Sequence, residues 1–224
     1  MNWAEGQFIL IDKPRDWSSF DVVKKIRNRL KVKIGHAGTL DPLATGLLIL
    51  ATGKFTKRIE EVQGLEKCYE GIIELGKTTP SYDLETEFDS ETSSDHITLG
   101  DIEAAIAKNF NGQIIQIPPS HSAVYIDGER AYKKARRNEE VKMKPRDVTI
   151  ISFEVLQYSS SEVRFRIQCS KGTYIRSIAH DLGKVLGVGG YLKELRRTAI
   201  GEFSIDNAYK LDDFLDKFAV NESH

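Results

Sequence analysis

The chain has 224 residues, 40% of them hydrophobic, and a formal net charge of −1. A chain of that size buries a core without a disulfide or metal staple, as one large domain or two small ones. Near-neutrality argues against a generic polyanion binder. No apolar run reaches the ~18 residues of a membrane span, and MNWAEGQFIL has no basic stretch before an apolar core, so no signal peptide is expected. Cys68 and Cys169 lack metal-ligand spacing and are expected as buried thiols, which suits a reducing cytoplasm.

Residues 7–12 predict a buried strand stopped by Lys13-Pro14. Ser18 and Asp21 form a capping box, and Val22, Ile26 and Leu30 then recur on one helical face. Lys24, Lys25, Arg27 and Arg29 mostly fall off that stripe, so the helix packs inward and carries positive charge outward. Residues 34–46 predict a loop by their glycines and Asp-Pro, followed by an apolar run at Leu47–Ala51. Further strands are expected at 69–75, 149–157 and 162–169, where Val163, Phe165 and Ile167 alternate with Arg164, Arg166 and Gln168. The acidic stretch 83–96 predicts a loop. Helices are expected from Asp101 to Phe110, capped by Thr98, and after Thr173, with an apolar stripe of Ile175, Ile178, Ala179, Leu182, Val185 and Leu186 and a cap at Gly187. Strands and helices mix without βαβ alternation, which predicts an α+β fold with a mixed, mostly antiparallel sheet flanked by helices.

Charge is segregated. Residues 12–33 carry eight Lys/Arg against three acids, and residues 131–150 carry seven against three, whereas 83–103 hold eight acids and no Lys/Arg. Such a distribution suits a basic face for a phosphate backbone, and equally suits solvated helix faces. The histidines form no metal-binding pair and no phosphate loop or nucleophile elbow occurs, so neither metal nor nucleotide cofactor is expected. Asp41, between Leu40 and Pro42 with Gly38 and Gly46 nearby, reads locally as a turn former or as a catalytic acid that glycines leave open to a ligand.

The segment Gly35-His36-Ala37-Gly38-Thr39-Leu40-Asp41-Pro42-Leu43-Ala44-Thr45-Gly46 resembles the catalytic signature of the TruB family of tRNA pseudouridine synthases. Asp12-Lys13-Pro14 with Ser18-Ser19, Lys67-Cys68-Tyr69, Cys169 to Arg176, and Leu195-Arg196-Arg197 match that family in the same order, so the likeness covers residues 7–210. The resemblance implies the pseudouridine synthase fold over residues 1–210, with 131–150 as a basic thumb-like insertion, 211–224 as a tail, and no C-terminal PUA domain. It implies isomerisation of the T-loop uridine at tRNA position 55, without cofactor or metal. Asp41 would act as nucleophile at C1′ or as base at C2′, Arg176 would pair with Asp41 and keep it ionised, and Tyr69 would stack on the uracil. His36 would fill the space left by the flipped base, with Tyr174 and Leu195 packed around that base. Lys13 would support the loop, and Lys57, Lys133, Lys134, Arg136 and Arg137 would meet RNA phosphates. The partner expected is the tRNA T stem-loop in the cytoplasm, with no membrane and no obligate protein partner. A synthase of related type acting on ribosomal RNA is the nearest alternative; the large relatives usually carry His-Arg-Leu-Asp where this chain has Gly-Thr-Leu-Asp. An RNA-binding module or tRNA-folding chaperone without catalysis is a third.

Overall fold

In the computed structural model, residues 2–126, 128–137 and 139–218 are described. The chain begins with β1 (Phe8–Lys13), α1 (Ser19–Leu30), β2 (Ile34–His36), β3 (Thr45–Thr52), a 3-10 turn over Gly53–Arg58, α2 (Ile59–Gln63) and β4 (Lys67–Leu75). It continues through β5 (Lys77–Thr78), β6 (Ser90–Glu91), α3 (Leu99–Asn109), β7 (Gly112–Gln116), β8 (Tyr125–Ile126), β9 (Glu129–Arg130) and α4 (Ala131–Ala135). Then come β10 (Arg146–Ser159), β11 (Glu162–Cys169), α5 (Ile175–Val185), β12 (Gly190–Ile200), β13 (Phe203–Ser204), β14 (Tyr209–Lys210) and α6 (Leu211–Lys217). Two compact units form: Met1–Tyr69 with Leu195–His224, and Glu70–Glu194.

In the first unit β1 runs antiparallel to β3, from Phe8 opposite Ala51 to Lys13 opposite Gly46. The end of β12 lies parallel to β3 (Arg197 opposite Gly46), and β14 parallel to β1. The Ser18 capping box forms as expected: the hydroxyl accepts from Asp21 N–H at 3.1 Å and the Asp21 carboxylate accepts from Ser18 N–H at 3.0 Å. Behind it Val22, Val23 and Ile26 pack with Ile9, Ile11, Leu48 and Leu50. Residues 211–217, expected in a tail, are α6, whose Leu211, Phe214 and Leu215 join that core. Residues 34–46, expected as a loop, hold β2 and the start of β3. A three-residue strand shows no periodicity, and Ile34–His36 becomes one because Thr52–Leu50 offers it a free edge.

In the second unit β10 lies antiparallel between β11 and β7. Val163, Phe165 and Ile167 are fully buried while Arg164 and Arg166 face solvent, as the alternation predicts. The Thr98 capping box on α3 also forms. Three boundaries differ. The first strand of the pair begins at Arg146, so 146–150 of the thumb-like segment belong to β10, with Val148 and Ile150 buried. The acidic stretch contains β6, paired with β5. Val185 is exposed, because the buried residues of α5 end at Gly183.

Gly46 has φ +104°, and a Cβ there would lie 2.3 Å from the Arg197 carbonyl oxygen. Gly46→Ala is expected to destabilise the protein by about 2 kcal/mol or more, read by thermal unfolding; an unchanged Tm would show that the β3–β12 pair tolerates the methyl group.

Candidate active site

Asp41 is half-buried on a loop that buried side chains hold from both sides. On one side, the Ser19 hydroxyl in the first turn of α1 accepts from Leu40 N–H at 2.9 Å and donates to Leu40 O at 3.1 Å. On the other, Pro42 O accepts from Asp16 N–H at 2.9 Å and from Lys13 Nζ at 3.3 Å. Lys13 is wholly buried, and its Nζ also donates to Pro14 O at 2.9 Å and Trp17 O at 2.6 Å. Burial lowers its pKa to about 8, opposed chiefly by the nearby Asp41 charge. The resemblance cast Lys13 as support for the loop, and its bond to Pro42 O fits that role.

Two arginines of β12 complete the frame. Arg197, also buried, donates from Nε to Leu47 O at 2.8 Å and from NH2 to Gly38 O at 3.1 Å, gripping the loop near both ends. Arg196 makes a bidentate pair with Asp12 at 3.0 and 2.8 Å. The Leu-Arg-Arg match singled out these residues without roles; their partners lie on β1, β3 and the loop before β3, too far away in sequence for any local pattern to pair them.

The other expected residues of this unit are distributed as follows. Tyr69 is buried in β4, and Leu195 is half-buried, its carbonyl accepting from Thr45 Oγ1 at 3.5 Å. His36 ends β2; burial lowers its pKa, opposed by a backbone contact with Gly38, so the neutral ring is favoured. Lys57 is exposed on the 3-10 turn.

Arg176 and Tyr174 belong to the second unit. Arg176, in the first turn of α5, is buried; it donates to Ser81 O at 3.1 Å and His121 O at 3.0 Å, and its Nε lies 3.6 Å from the buried Asp83 carboxylate. Asp83 was not singled out, since in sequence it is one acid among eight in its stretch. Tyr174 is held by the buried Gln116 amide, which accepts from its N–H at 2.7 Å and donates to its carbonyl at 3.0 Å, and the Arg146 guanidinium lies 5.2 Å from its ring centre. In the thumb-like segment, Lys133 is exposed and Lys134 half-buried on α4. Arg136 pairs with Glu85 at 2.5 Å, and Arg137 with Glu129 at 2.7 Å and Glu139 at 2.6 Å. Exposed pairs of this kind are individually weak, but both arginines have carboxylate partners in the folded chain.

Among the described residues, no three His, Cys, Asp or Glu side chains cluster as a metal site, and no helix is long and apolar enough to cross a membrane. What the first unit offers is a carboxylate on an immobilised backbone beside a buried ammonium. That arrangement suits a nucleophile or base acting on a bound substrate.

Fold and loop together define the class of pseudouridine synthases. The solved structure of an H/ACA RNP bound to a substrate RNA containing 2′-deoxyuridine matches 93% of this chain at 28% identity and a TM-score of 0.70. This chain spans 52% of that one. Proteins named tRNA pseudouridine synthase B are similar over most of their length. That of Chloroherpeton thalassium is 51% identical over 98% of this chain and 94% of its own, and that of Flavobacterium johnsoniae 50% over 92% and 93%. Residues 24–175 match the model for the TruB family pseudouridylate synthase N-terminal domain, and 176–224 that for the tRNA pseudouridylate synthase B C-terminal domain. The chain belongs to the TruB family.

With a folded pKa of about 8 against 10.5 for an ordinary lysine, Lys13 binds fewer protons in the folded than in the unfolded chain between those values. Its burial cost is complete below pH 8 and is relieved as pH rises. The stability of the wild type relative to Lys13→Met should therefore increase from pH 8 to 10.5, measured by denaturant unfolding of both; a difference independent of pH would contradict this account of Lys13.

Proposed function

We propose that this chain isomerises the uridine at position 55 in the T loop of tRNA to pseudouridine, with Asp41 as the group that acts on the ribose. The reaction breaks the N1–C1′ bond, turns the uracil, joins C5 to C1′, and moves the C5 proton away as N1 gains one. Nothing is oxidised or reduced, so the protein's own side chains suffice. The observation that carries this reading is the clamped Asp41 loop in a chain of the TruB family. A carboxylate held by Ser19, Lys13 and Arg197 through its neighbours' backbones keeps its aim when a nucleotide arrives.

In this reading Arg176 supplies a guanidinium to the reaction, and Tyr69 stacks on the uracil and assists loss of the C5 proton. The target base leaves its stack before reaction. His36, whose neutral ring is favoured, occupies the vacated space, and Tyr174 and Leu195 enclose the everted base. Lys57, Lys133, Lys134, Arg136 and Arg137 meet the phosphates. The proposed partner is tRNA alone, in the cytoplasm, without metal, cofactor or obligate protein partner.

Asp41→Asn should lower turnover of an unmodified tRNA transcript by at least about 10³-fold while tRNA affinity is kept, with pseudouridine mapped by chemical labelling. Turnover at the wild-type rate would refute the assignment. Changing Lys133, Lys134, Arg136 and Arg137 together to Gln should weaken tRNA binding and flatten its salt dependence by about two to three units of log K against log salt; an unaltered slope removes the thumb-like segment from the contact surface.

A further inference from the structure

The strongest unassigned feature is the outer face of α1. Its inner face, Ser19, Val22, Val23 and Ile26, is buried. Outside, Phe20, Lys24 and Arg27 follow one another at helical spacing and form a single stripe, with Lys25 beside it and Lys31, the left-handed C-cap, just past the helix end. All are exposed, Phe20 to 59%. Among the described residues none of these four basic side chains is in an ion pair, unlike Arg136 and Arg137. The nearest acid on the helix, Asp21, is occupied by the Ser18 cap, and Arg29 is excluded because its guanidinium donates to Leu215 O at 3.1 Å.

Position adds a second argument. Residue 19, next to Phe20, is the serine whose hydroxyl brackets Leu40. The stripe therefore begins where α1 meets the loop carrying Asp41 and runs ~10 Å from Phe20 to Arg27 along the helix, with Lys31 at its C-terminal end. Unpaired cations about one turn apart, headed by an exposed aromatic ring, suit a strand of nucleic acid: phosphates meet the cations and a base or ribose meets the ring.

We propose that the outer face of α1 is an RNA-backbone contact surface that guides a strand of the tRNA substrate toward the Asp41 loop. This rests on the proposed function. The cations supply salt-dependent, sequence-independent affinity, and Phe20 a salt-independent contact near the site.

The test uses the full chain and an unmodified tRNA transcript, with binding measured across a salt series and turnover measured separately. In the combined Lys24→Gln, Arg27→Gln, Lys31→Gln variant, where Gln maintains the helix, affinity should fall and the salt slope flatten by about two to three units. The charge-keeping combination Lys24→Arg, Arg27→Lys, Lys31→Arg should retain the wild-type slope, which a merely structural role would not require. Phe20→Ala should weaken binding about fivefold or more without changing the slope. A wild-type slope in the neutralised variant overturns the proposal. So does loss of phosphatidylserine-vesicle binding with tRNA binding intact, which would assign the face to a lipid surface. If the wild type binds tRNA but forms no pseudouridine, the proposed function fails while the slope still decides the role of α1.

Discussion

The proposed role of Asp41, acting on one carbon of a ribose, needs a backbone that does not yield, and both neighbours of Asp41 are tied down. Leu40 is bracketed by one hydroxyl used as donor and acceptor at once, and Pro42 by a buried ammonium. Burying a cation is costly unless its donors are satisfied. The Lys13 ammonium has three donors and meets three carbonyl oxygens, those of Pro14, Trp17 and Pro42. The charge is thus tolerated because it fastens the loop.

The sheet of the first unit makes this possible. Lys13 on β1, Gly46 on β3 and Arg197 on β12 lie side by side across three strands. The middle position has no side chain, which lets β12 approach where a Cβ would collide with the Arg197 carbonyl. Two long cationic side chains flank it and reach different parts of the loop, Lys13 to Pro42 and Arg197 to Gly38 and Leu47. The second unit repeats the device: Arg176 is fastened to the Ser81 and His121 carbonyls and the amide of Gln116 fixes Tyr174. In both units, buried polar side chains hold the proposed site residues by hydrogen bonds to backbone groups.

Charge has a different distribution once the fold is known. The arginines of the thumb-like segment are already paired with Glu85, Glu129 and Glu139, so their attraction for phosphate is reduced by the carboxylates that must leave. Among the described residues, the basic residues on the outside of α1 are in no ion pair, and the acid beside Lys24, Asp21, is held by the Ser18 cap. Counting charges along the chain ranks the two segments alike; only their partners separate them.

The sequence alone determined the local features. The Ser18 and Thr98 caps, the alternation of β11 and the inner face of α1 follow from residues a few positions apart, whose geometry the backbone dictates. The likeness around Asp41 was legible because those residues are contiguous. What only the tertiary structure decided joins distant positions: β2 as a strand, α6 as part of the core, Asp83 beside Arg176, and Arg197 reaching Gly38 across 159 residues. No periodicity encodes such partners. They are selected because each buried cation or strand edge must find its counter-charge or acceptor in the folded chain, and which one it meets depends on the path of the backbone between them.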